Sequence, residues 1–260
     1  MMDLGIIQGR LLKPVDGHIQ EFPIDNWEKE FGDLKKVGLN HIEWIITNRS
    51  FNGGVLDLEI KQYSKSISSI TCDNLISKLI TKPTFLHSQL KPICDWAIKN
   101  NIKSISIPLL EDSRVTLENK DEIIFMFKCY GVVYPNLDFH FEMESDWELA
   151  VELSETLPNF YLIYDTGNIT SCGFDHKLWI DNCLPYIKNV HLKDRTITPI
   201  ETVKPFTGDT DFDSIFESLH LFGYMGKFTL QLAREEEGKE LSTTIKHIKQ
   251  FKELYNEKFI

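Results

Sequence analysis

The chain alternates between short runs rich in β-branched and aromatic residues and longer stretches in which apolar residues recur at helical spacing. The short runs predict eight strands, at residues 4–8, 41–46, 68–72, 102–107, 137–143, 160–164, 187–192 and 227–232. The longer stretches predict eight helices, at residues 27–37, 60–66, 85–100, 118–130, 147–157, 177–184, 211–222 and 241–255. Each strand is followed by a helix, which indicates parallel pairing because the helix returns the chain to the same edge of the sheet.

Eight strand–helix units within 260 residues predict one domain, residues 1–260, folded as a (β/α)8 TIM barrel. A doubly wound open sheet is the competing architecture. The first strand, however, is not followed by the Gly-x-Gly-x-x-Gly turn of dinucleotide-binding sheets. The stretch 196–213 contains Pro199, Pro205 and Gly208 and is predicted to be a loop within the domain, not a linker.

The charge and composition exclude several classes of partner. A net charge of −11 and a pI of about 5.2 disfavour nucleic acid and anionic membranes as ligands. The chain has no signal-peptide pattern and no apolar run near the roughly 20 residues that span a bilayer. The five cysteines, Cys72, Cys94, Cys129, Cys172 and Cys183, form no Cys-x-x-Cys pair. We therefore expect reduced thiols in a cytoplasmic protein.

Four polar residues stand at the ends of the last four predicted strands: Glu144, Asp165, His191 and Gln231. The carboxyl ends of neighbouring parallel strands meet on one face of a barrel, so these side chains are expected to converge. Each residue alone has an ordinary structural explanation, and only their joint occurrence favours a shared metal ion. Three oxygen ligands and one imidazole suit Mn²⁺, Mg²⁺ or Co²⁺, with zinc as an alternative.

The fifth strand offers a choice of ligand. His140, Glu142 and Glu144 lie on one face of that strand, because side chains alternate with a period of two. Glu144 is nearest the strand end and is the preferred ligand and general base, with Glu142 as the reserve.

Further polar residues are expected around the mouth of the barrel. Lys193 shares a face with His191 and is predicted to act in catalysis on the opposite side of the substrate from Glu144. Together with Lys193, three arginines are expected to form a cationic patch for a substrate phosphate or carboxylate: Arg10, Arg195 and Arg234.

Three more residues are predicted to contact the substrate. Glu43 is expected to face the barrel interior, since its neighbour Trp44 must then point the other way. Asp73 at the third strand end is predicted to contact hydroxyl groups, with helix capping as the alternative. Asn168 follows Gly167, whose tight turn lets it point back over the mouth.

At these residues the chain resembles the sugar phosphate isomerase/epimerase family, whose members have a xylose-isomerase-like TIM barrel. The motifs are Gly-Ile-Ile-Gln-Gly-Arg (5–10), His-Ile-Glu-Trp (41–44), Thr-Cys-Asp (71–73), Glu-Ser-Asp (144–146), Tyr-Asp-Thr-Gly-Asn (164–168), Val-His-Leu-Lys-Asp (190–194), Thr-Gly-Asp-Thr-Asp (207–211) and Gln-Leu-Ala-Arg (231–234). The resemblance implies one divalent cation held by Glu144, Asp165, His191 and position 231. It also implies a sugar or sugar phosphate as substrate, and it allows a homo-oligomer.

The sequence departs from the family at two positions. Ketose 3-epimerases of the family use a glutamate where this chain has Gln231, which can coordinate through its carbonyl oxygen but cannot accept a proton. Asn168 stands where those epimerases have a histidine that contacts the substrate. The resemblance therefore implies an isomerase or epimerase that transfers a proton next to a carbonyl, without naming one reaction.

Three other functions remain as alternatives. A keto-polyol dehydratase, similar to inosose dehydratase, needs one base and one metal and so tolerates Gln231. A barrel that binds a sugar without converting it is consistent with the loss of the fourth carboxylate. An apurinic-site endonuclease shares the fold but needs three metals and many histidine ligands, which the strand ends and the net charge of −11 disfavour.

Overall fold

Eight parallel strands form a closed barrel in the computed structural model, which describes residues 2–259. In chain order the strands are β1 (Leu4–Ile7), β2 (His41–Ile46), β3 (Ile67–Cys72), β4 (Ser104–Leu109), β5 (Asp138–Met143), β6 (Phe160–Asp165), β7 (Ile187–Leu192), β8 (Asp194–Thr196), β9 (Glu201–Val203) and β10 (Lys227–Leu230). The short strands β8 and β9 form a separate antiparallel hairpin, and β10 closes the barrel between β7 and β1. The predicted (β/α)8 TIM barrel is confirmed.

Helices surround the barrel: α1 (Trp27–Val37), α2 (Asn48–Asn52), α3 (Pro83–Lys99), α4 (Lys120–Val133), α5 (Trp147–Thr156), α6 (Thr166–Cys172), α7 (His176–Cys183), α8 (Phe212–Leu221) and α9 (Glu240–Phe259). The helix predicted at 60–66 is a 3₁₀ helix, Lys61–Ser66. The short helices α2 and α6 were not predicted. Within residues 2–259, no helix combines the length and the apolar character that crossing a membrane requires.

The two faces of the strands differ in polarity. On the outer face, Trp44 packs in the layer between barrel and helices, with its ring centroid 5.0 Å from that of Phe22 and 5.4 Å from that of Trp27. The barrel interior instead contains hydrogen-bonded polar side chains, among them Glu43, Ser69, Thr71, Ser106, Asn189 and Thr229. Barrel interiors are usually filled by branched apolar residues, so this polar filling is a particular property of the chain.

The amino-terminal end of the barrel interior is tightly filled. The ring of His41 lies against Gly5, and a Cβ atom at Gly5 would approach Nδ1 of His41 to 2.0 Å. Glycine at this position is therefore required by the space that the histidine ring occupies, and no other side chain fits there.

Two boundaries differ from the predicted ones. The fourth strand does not end before Pro108 but continues to Leu109, with Pro108 paired to Glu142 of β5. Pairing with β3 ends at Ser106, so no strand on that side needs the N–H group that proline lacks. The predicted loop 196–213 overlaps the β8–β9 hairpin, which begins earlier, at Asp194. The Asp194 side chain supports the following loop by accepting hydrogen bonds from the backbone N–H groups of Thr207, Gly208 and Thr210.

Candidate metal centre

Three side chains at the carboxyl ends of consecutive strands converge in the barrel mouth. Glu142 of β5, Asp165 of β6 and His191 of β7 each offer a ligand atom, and these atoms lie within 4.8 Å of one another. Nδ1 of His191 is 3.4 Å from Oε2 of Glu142 and 4.0 Å from Oδ2 of Asp165. All three residues are buried. A buried group of two carboxylates and one imidazole has the composition of a divalent-metal site.

Some polar atoms of these groups have no hydrogen-bond partner. Oδ2 of Asp165 and Nδ1 of His191 are buried atoms without a hydrogen-bond partner, and so is the amide oxygen Oε1 of Gln231. Buried polar atoms are normally satisfied, so three unsatisfied polar atoms at or just after the ends of β6, β7 and β10 call for an explanation. A divalent cation bound by these atoms would provide one. The residues present therefore fit a metal ion.

Glu142, and not Glu144, belongs to this cluster. The sequence-based preference for Glu144 is corrected because its carboxylate pairs with two arginines, Arg114 and Arg195, instead of joining the cluster. Its Oε2 lies 2.5 Å from Nη2 of Arg114, and its Oε1 lies 3.6 Å from Nη1 of Arg195. The two-residue period of a strand predicts that both glutamates lie on one face of β5. It does not determine which of them is level with Asp165 and His191 on the neighbouring strands.

His191 lies between two carboxylates. On one side Nδ1 faces Glu142, and on the other Nε2 lies 3.0 Å from Oε2 of Glu43. Burial opposes a charge on the imidazole, but Glu43 and Glu142 outweigh it and raise the pKa of His191 well above its usual value. Burial likewise opposes ionisation of Glu43, but the positive charge and hydrogen bond of His191 lower the pKa of Glu43 to about 2. Glu43 is thus an anion inside the barrel.

Glu43 has a different environment from the one predicted. Its side chain faces the barrel interior as expected, but it is 0% exposed. Besides His191 it accepts hydrogen bonds from Oγ1 of Thr71 and from Nδ2 of Asn189, the latter at 2.9 Å. A group enclosed in this way does not reach the open mouth, so the structure argues against the predicted direct contact with a substrate.

Asn168 and Lys193 complete the wall of the cluster. Asp165 caps α6 by accepting a hydrogen bond from the backbone N–H of Asn168 at 2.7 Å. The Asn168 side chain then donates to Oε1 of Glu142 at 2.8 Å and accepts from Nζ of Lys193 at 3.2 Å. Nζ of Lys193 also lies 3.5 Å from Oδ2 of Asp165. The side-chain amide of Asn168 is used within the site, and its predicted contact with a substrate stays a prediction.

The predicted cationic patch is divided between two places. The guanidinium groups of Arg10 and Arg234 both donate to the backbone carbonyl of Ile19, and Arg234 also donates to the carbonyls of Gly9 and Leu12. These two arginines hold the loop after β1. Arg195 lies elsewhere on the rim, where Nη1 donates to Oγ of Ser171 at 3.1 Å.

A cavity of about 490 Å³ opens beside Arg195. It is also lined by Arg114 and Glu144, which form the ion pair described above. Arg114 was missed from the sequence because it follows the fourth strand in a loop that gave no periodic signal. With two arginines and two glutamates, Glu111 and Glu144, the lining carries both signs of charge.

Two more carboxyl groups lie near the mouth or support it. Asp73 follows β3, and burial, followed by the charges of Glu142 and Glu111, raises its pKa to about 6. Glu30 of α1 accepts hydrogen bonds from the backbone N–H groups of Gly9 and Leu11, and so holds the loop that carries Arg10. Glu30 reads as an ordinary helix carboxylate in the sequence, and no local signal distinguishes it there.

Solved structures share this TIM-barrel fold over nearly the entire chain, among them xylose isomerase-like TIM barrel proteins. An IOLI protein with a bound zinc atom is 16% identical, with a TM-score of 0.74 and coverage of 99% of each chain. An L-ribulose 3-epimerase is 13% identical, with a TM-score of 0.73 over 98% of this chain and 95% of that one. A xylose isomerase-like TIM barrel protein from Mycobacterium smegmatis in complex with magnesium is 14% identical, with a TM-score of 0.65 over 98% of this chain and 97% of that one.

Comparison by sequence finds a shorter match. A curated inosose dehydratase from Geobacillus thermodenitrificans (strain NG80-2) is 28% identical over 122 residues, which are 38% of this chain and 41% of that relative. The match therefore spans less than half the length of the curated relative. No protein-family model matches the chain.

Proposed function

We propose that this protein is a metal-dependent enzyme that transfers a proton next to a carbonyl group of a sugar, sugar phosphate or related polyol. The observation that carries the proposal is the convergence of Glu142, Asp165 and His191, together with buried polar atoms on Asp165, His191 and Gln231 that have no hydrogen-bond partner. The similarity in fold to sugar epimerases supports the same class of reaction. The four ligands of the metal ion would be Glu142, Asp165, His191 and Gln231. Glu142 takes the place of Glu144, which was the ligand predicted from the sequence.

The metal is expected to be Mn²⁺, Mg²⁺ or Co²⁺, because most of the ligand atoms are oxygens. Zinc is the alternative, and both zinc and magnesium are bound in proteins of this fold. When bound, such an ion polarises a carbonyl oxygen and stabilises the negative charge that develops when the neighbouring carbon loses a proton.

The proton itself is handled by side chains of the chain. Burial opposes the charge of Glu142, but His191 outweighs it and lowers the pKa of Glu142, so this carboxylate is available as a base. Asn168 donates to Oε1 of Glu142 and orients it. Lys193 carries a buried ammonium group on the Asp165 side of the cluster, where it is placed to stabilise or return a proton.

A lyase is the second candidate, and a specific observation favours it. Gln231 cannot act as the second base that a two-glutamate epimerisation needs. A dehydratase acting on a keto-polyol needs only one base beside the metal, and the curated inosose dehydratase is similar to part of this chain.

The two reactions are separated by one set of incubations in deuterated water. The enzyme loaded with Mn²⁺ is mixed with a panel of ketoses, ketose phosphates and inososes, and the products are followed by proton NMR. Isomerisation or epimerisation incorporates deuterium at the carbon next to the carbonyl, whereas dehydration yields a product lacking one water. Glu142→Gln should abolish either reaction, and Glu144→Gln, a matched change outside the cluster, should retain it. Tight sugar binding without exchange or dehydration across the panel would instead indicate a binding protein.

A further inference from the structure

The carboxylate of Glu43 has no role in the proposed chemistry, yet it is fully buried inside the barrel. It comes from β2, whereas its partner His191 lies on β7, so its side chain bridges the barrel interior. Oε2 accepts from Nε2 of His191 at 3.0 Å and from Nδ2 of Asn189 at 2.9 Å, and Oε1 accepts from Oγ1 of Thr71. Groups on two other strands therefore hold the carboxylate in one position.

This arrangement determines which nitrogen of His191 is free. Oε2 of Glu43 already serves as the acceptor for the amide N–H of Asn189, which can only donate, so the same oxygen is placed to accept from Nε2 of His191. Nε2 is thereby engaged inside the barrel, and Nδ1 is the ring nitrogen left for a ligand. Nδ1 is the atom that faces Glu142 and Asp165. A metal-binding histidine commonly donates its other N–H to a carboxylate, which sets the ring orientation and makes the ligand nitrogen more basic.

We infer that Glu43 is a positioning residue that presents Nδ1 of His191 to a divalent metal from inside the barrel. The inference rests on the metal-dependent function proposed above. It assigns to the second strand a part in metal affinity, although Glu43 itself is not a ligand and touches no substrate. Loss of such a supporting carboxylate typically weakens metal binding by about 10- to 100-fold.

Two substitutions separate orientation from charge. In Glu43→Gln, the amide oxygen can keep the hydrogen bonds from His191 and Asn189, and the amide nitrogen can donate to Thr71 after its hydroxyl turns. In Glu43→Ala, all three partners lose their acceptor. We therefore expect the affinity for metal to fall in the order wild type, Glu43→Gln, Glu43→Ala, with a loss of about 100-fold in the alanine variant. Glu30→Gln is the matched control, because it changes another fully buried glutamate that lies outside the cluster.

The test is a calorimetric titration of the metal-free protein with Mn²⁺ and Zn²⁺, with circular dichroism to confirm folding of each variant. Nitrogen NMR of the zinc-loaded protein, labelled in histidine, should show hydrogen on Nε2 of His191 in the wild type and in Glu43→Gln. If Glu43→Ala does not fold, the Glu43→Gln affinity and the NMR spectrum still decide the question. Wild-type affinity in both Glu43 variants, or hydrogen on Nδ1, would overturn the inference but not the proposed function. Absence of metal binding by the wild type would overturn both, whereas metal binding without turnover would leave the role of Glu43 intact.

Discussion

Replacing the buried carboxyl group of Glu30 should change the free energy of unfolding by an amount that depends on pH. The difference between variant and wild type should favour the variant more at alkaline pH than at acid pH. Glu30 is 0% exposed, and its carboxyl oxygens accept only backbone hydrogen bonds, from Gly9 at 2.8 and 2.9 Å and from Leu11 at 3.2 Å. Among residues 2–259 no cationic side chain forms an ion pair with it. Burial raises the pKa of Glu30 to about 7, although these hydrogen bonds and the more distant Arg234 act in the opposite direction.

The sign and size of the effect follow from proton binding. Between pH 4.5, the usual value for a glutamate, and pH 7, the folded chain keeps a proton that the unfolded chain has lost. The free energy of unfolding therefore falls as the pH rises through this window, by about 3.4 kcal/mol in total at 1.36 kcal/mol per pKa unit. Glutamine resembles the protonated acid and does not titrate. The Glu30→Gln variant should thus gain about 3 kcal/mol on wild type between pH 4.5 and pH 8.

The measurement is urea denaturation of both proteins at several pH values in that range, followed by circular dichroism. Only the difference between the two proteins is used, since their other titrating groups are shared. Glu28→Gln on the exposed side of the same helix is the control and should stay parallel to wild type. If the Glu30→Gln and wild-type curves also ran parallel from pH 4.5 to pH 8, the carboxyl group would not be titrating there and the reasoning would be refuted.

Other substitutions test the packing and the metal centre. Gly32→Ala, on an exposed position of α1 with no atom within 4 Å of the added carbon, should stabilise the protein by about 0.5–1 kcal/mol in urea denaturation. Gly5→Ala should destabilise it by about 3 kcal/mol or more, because the new methyl group collides with both the ring and the backbone carbonyl oxygen of His41; a neutral result would show that β1 and β2 can shift apart at this point. Asp165→Asn keeps a good helix cap for α6, so calorimetry should find a folded protein whose affinity for Mn²⁺ has dropped by at least about tenfold. Gln231→Glu should raise that affinity by about tenfold through the added charge, and an unchanged affinity would place this side chain outside the metal site.

The fold was predictable because each strand–helix unit is locally consistent. Apolar runs of four to eight residues alternate with helical periodicity, which predicts a parallel sheet, and eight such units in 260 residues favour a closed barrel. The short helix α6 was not predictable from periodicity, since it has only seven residues and depends on a cap from Asp165, which the sequence analysis assigned to a metal. The continuation of β4 through Pro108 depends on where a neighbouring strand stops, which no local pattern reports.

The site was predicted less completely, for a physical reason. Periodicity states which side chains share a face of a strand, and the position at strand ends predicted that Asp165 and His191 would lie close together, as they do. The depth at which strands meet depends on barrel register, and this is why Glu142 and not Glu144 enters the cluster. The partners of the arginines could not be predicted either. Arg10 and Arg234 donate to backbone carbonyls of a loop, and every residue has such a carbonyl, so the sequence does not indicate which ones are bound.

Because the barrel interior is polar, it differs in role from the apolar layer between the strands and the surrounding helices. Groups such as Asn189, Thr229 and Glu43 exchange hydrogen bonds at the centre and contribute little apolar burial. Cohesion must then arise in the outer shell, where Trp44, Phe22 and their neighbours pack against helices. Mutations that change thermal stability can therefore accumulate in that shell without disturbing the centre. Apolar substitutions at the centre would instead remove the hydrogen bond that Glu43 provides to His191.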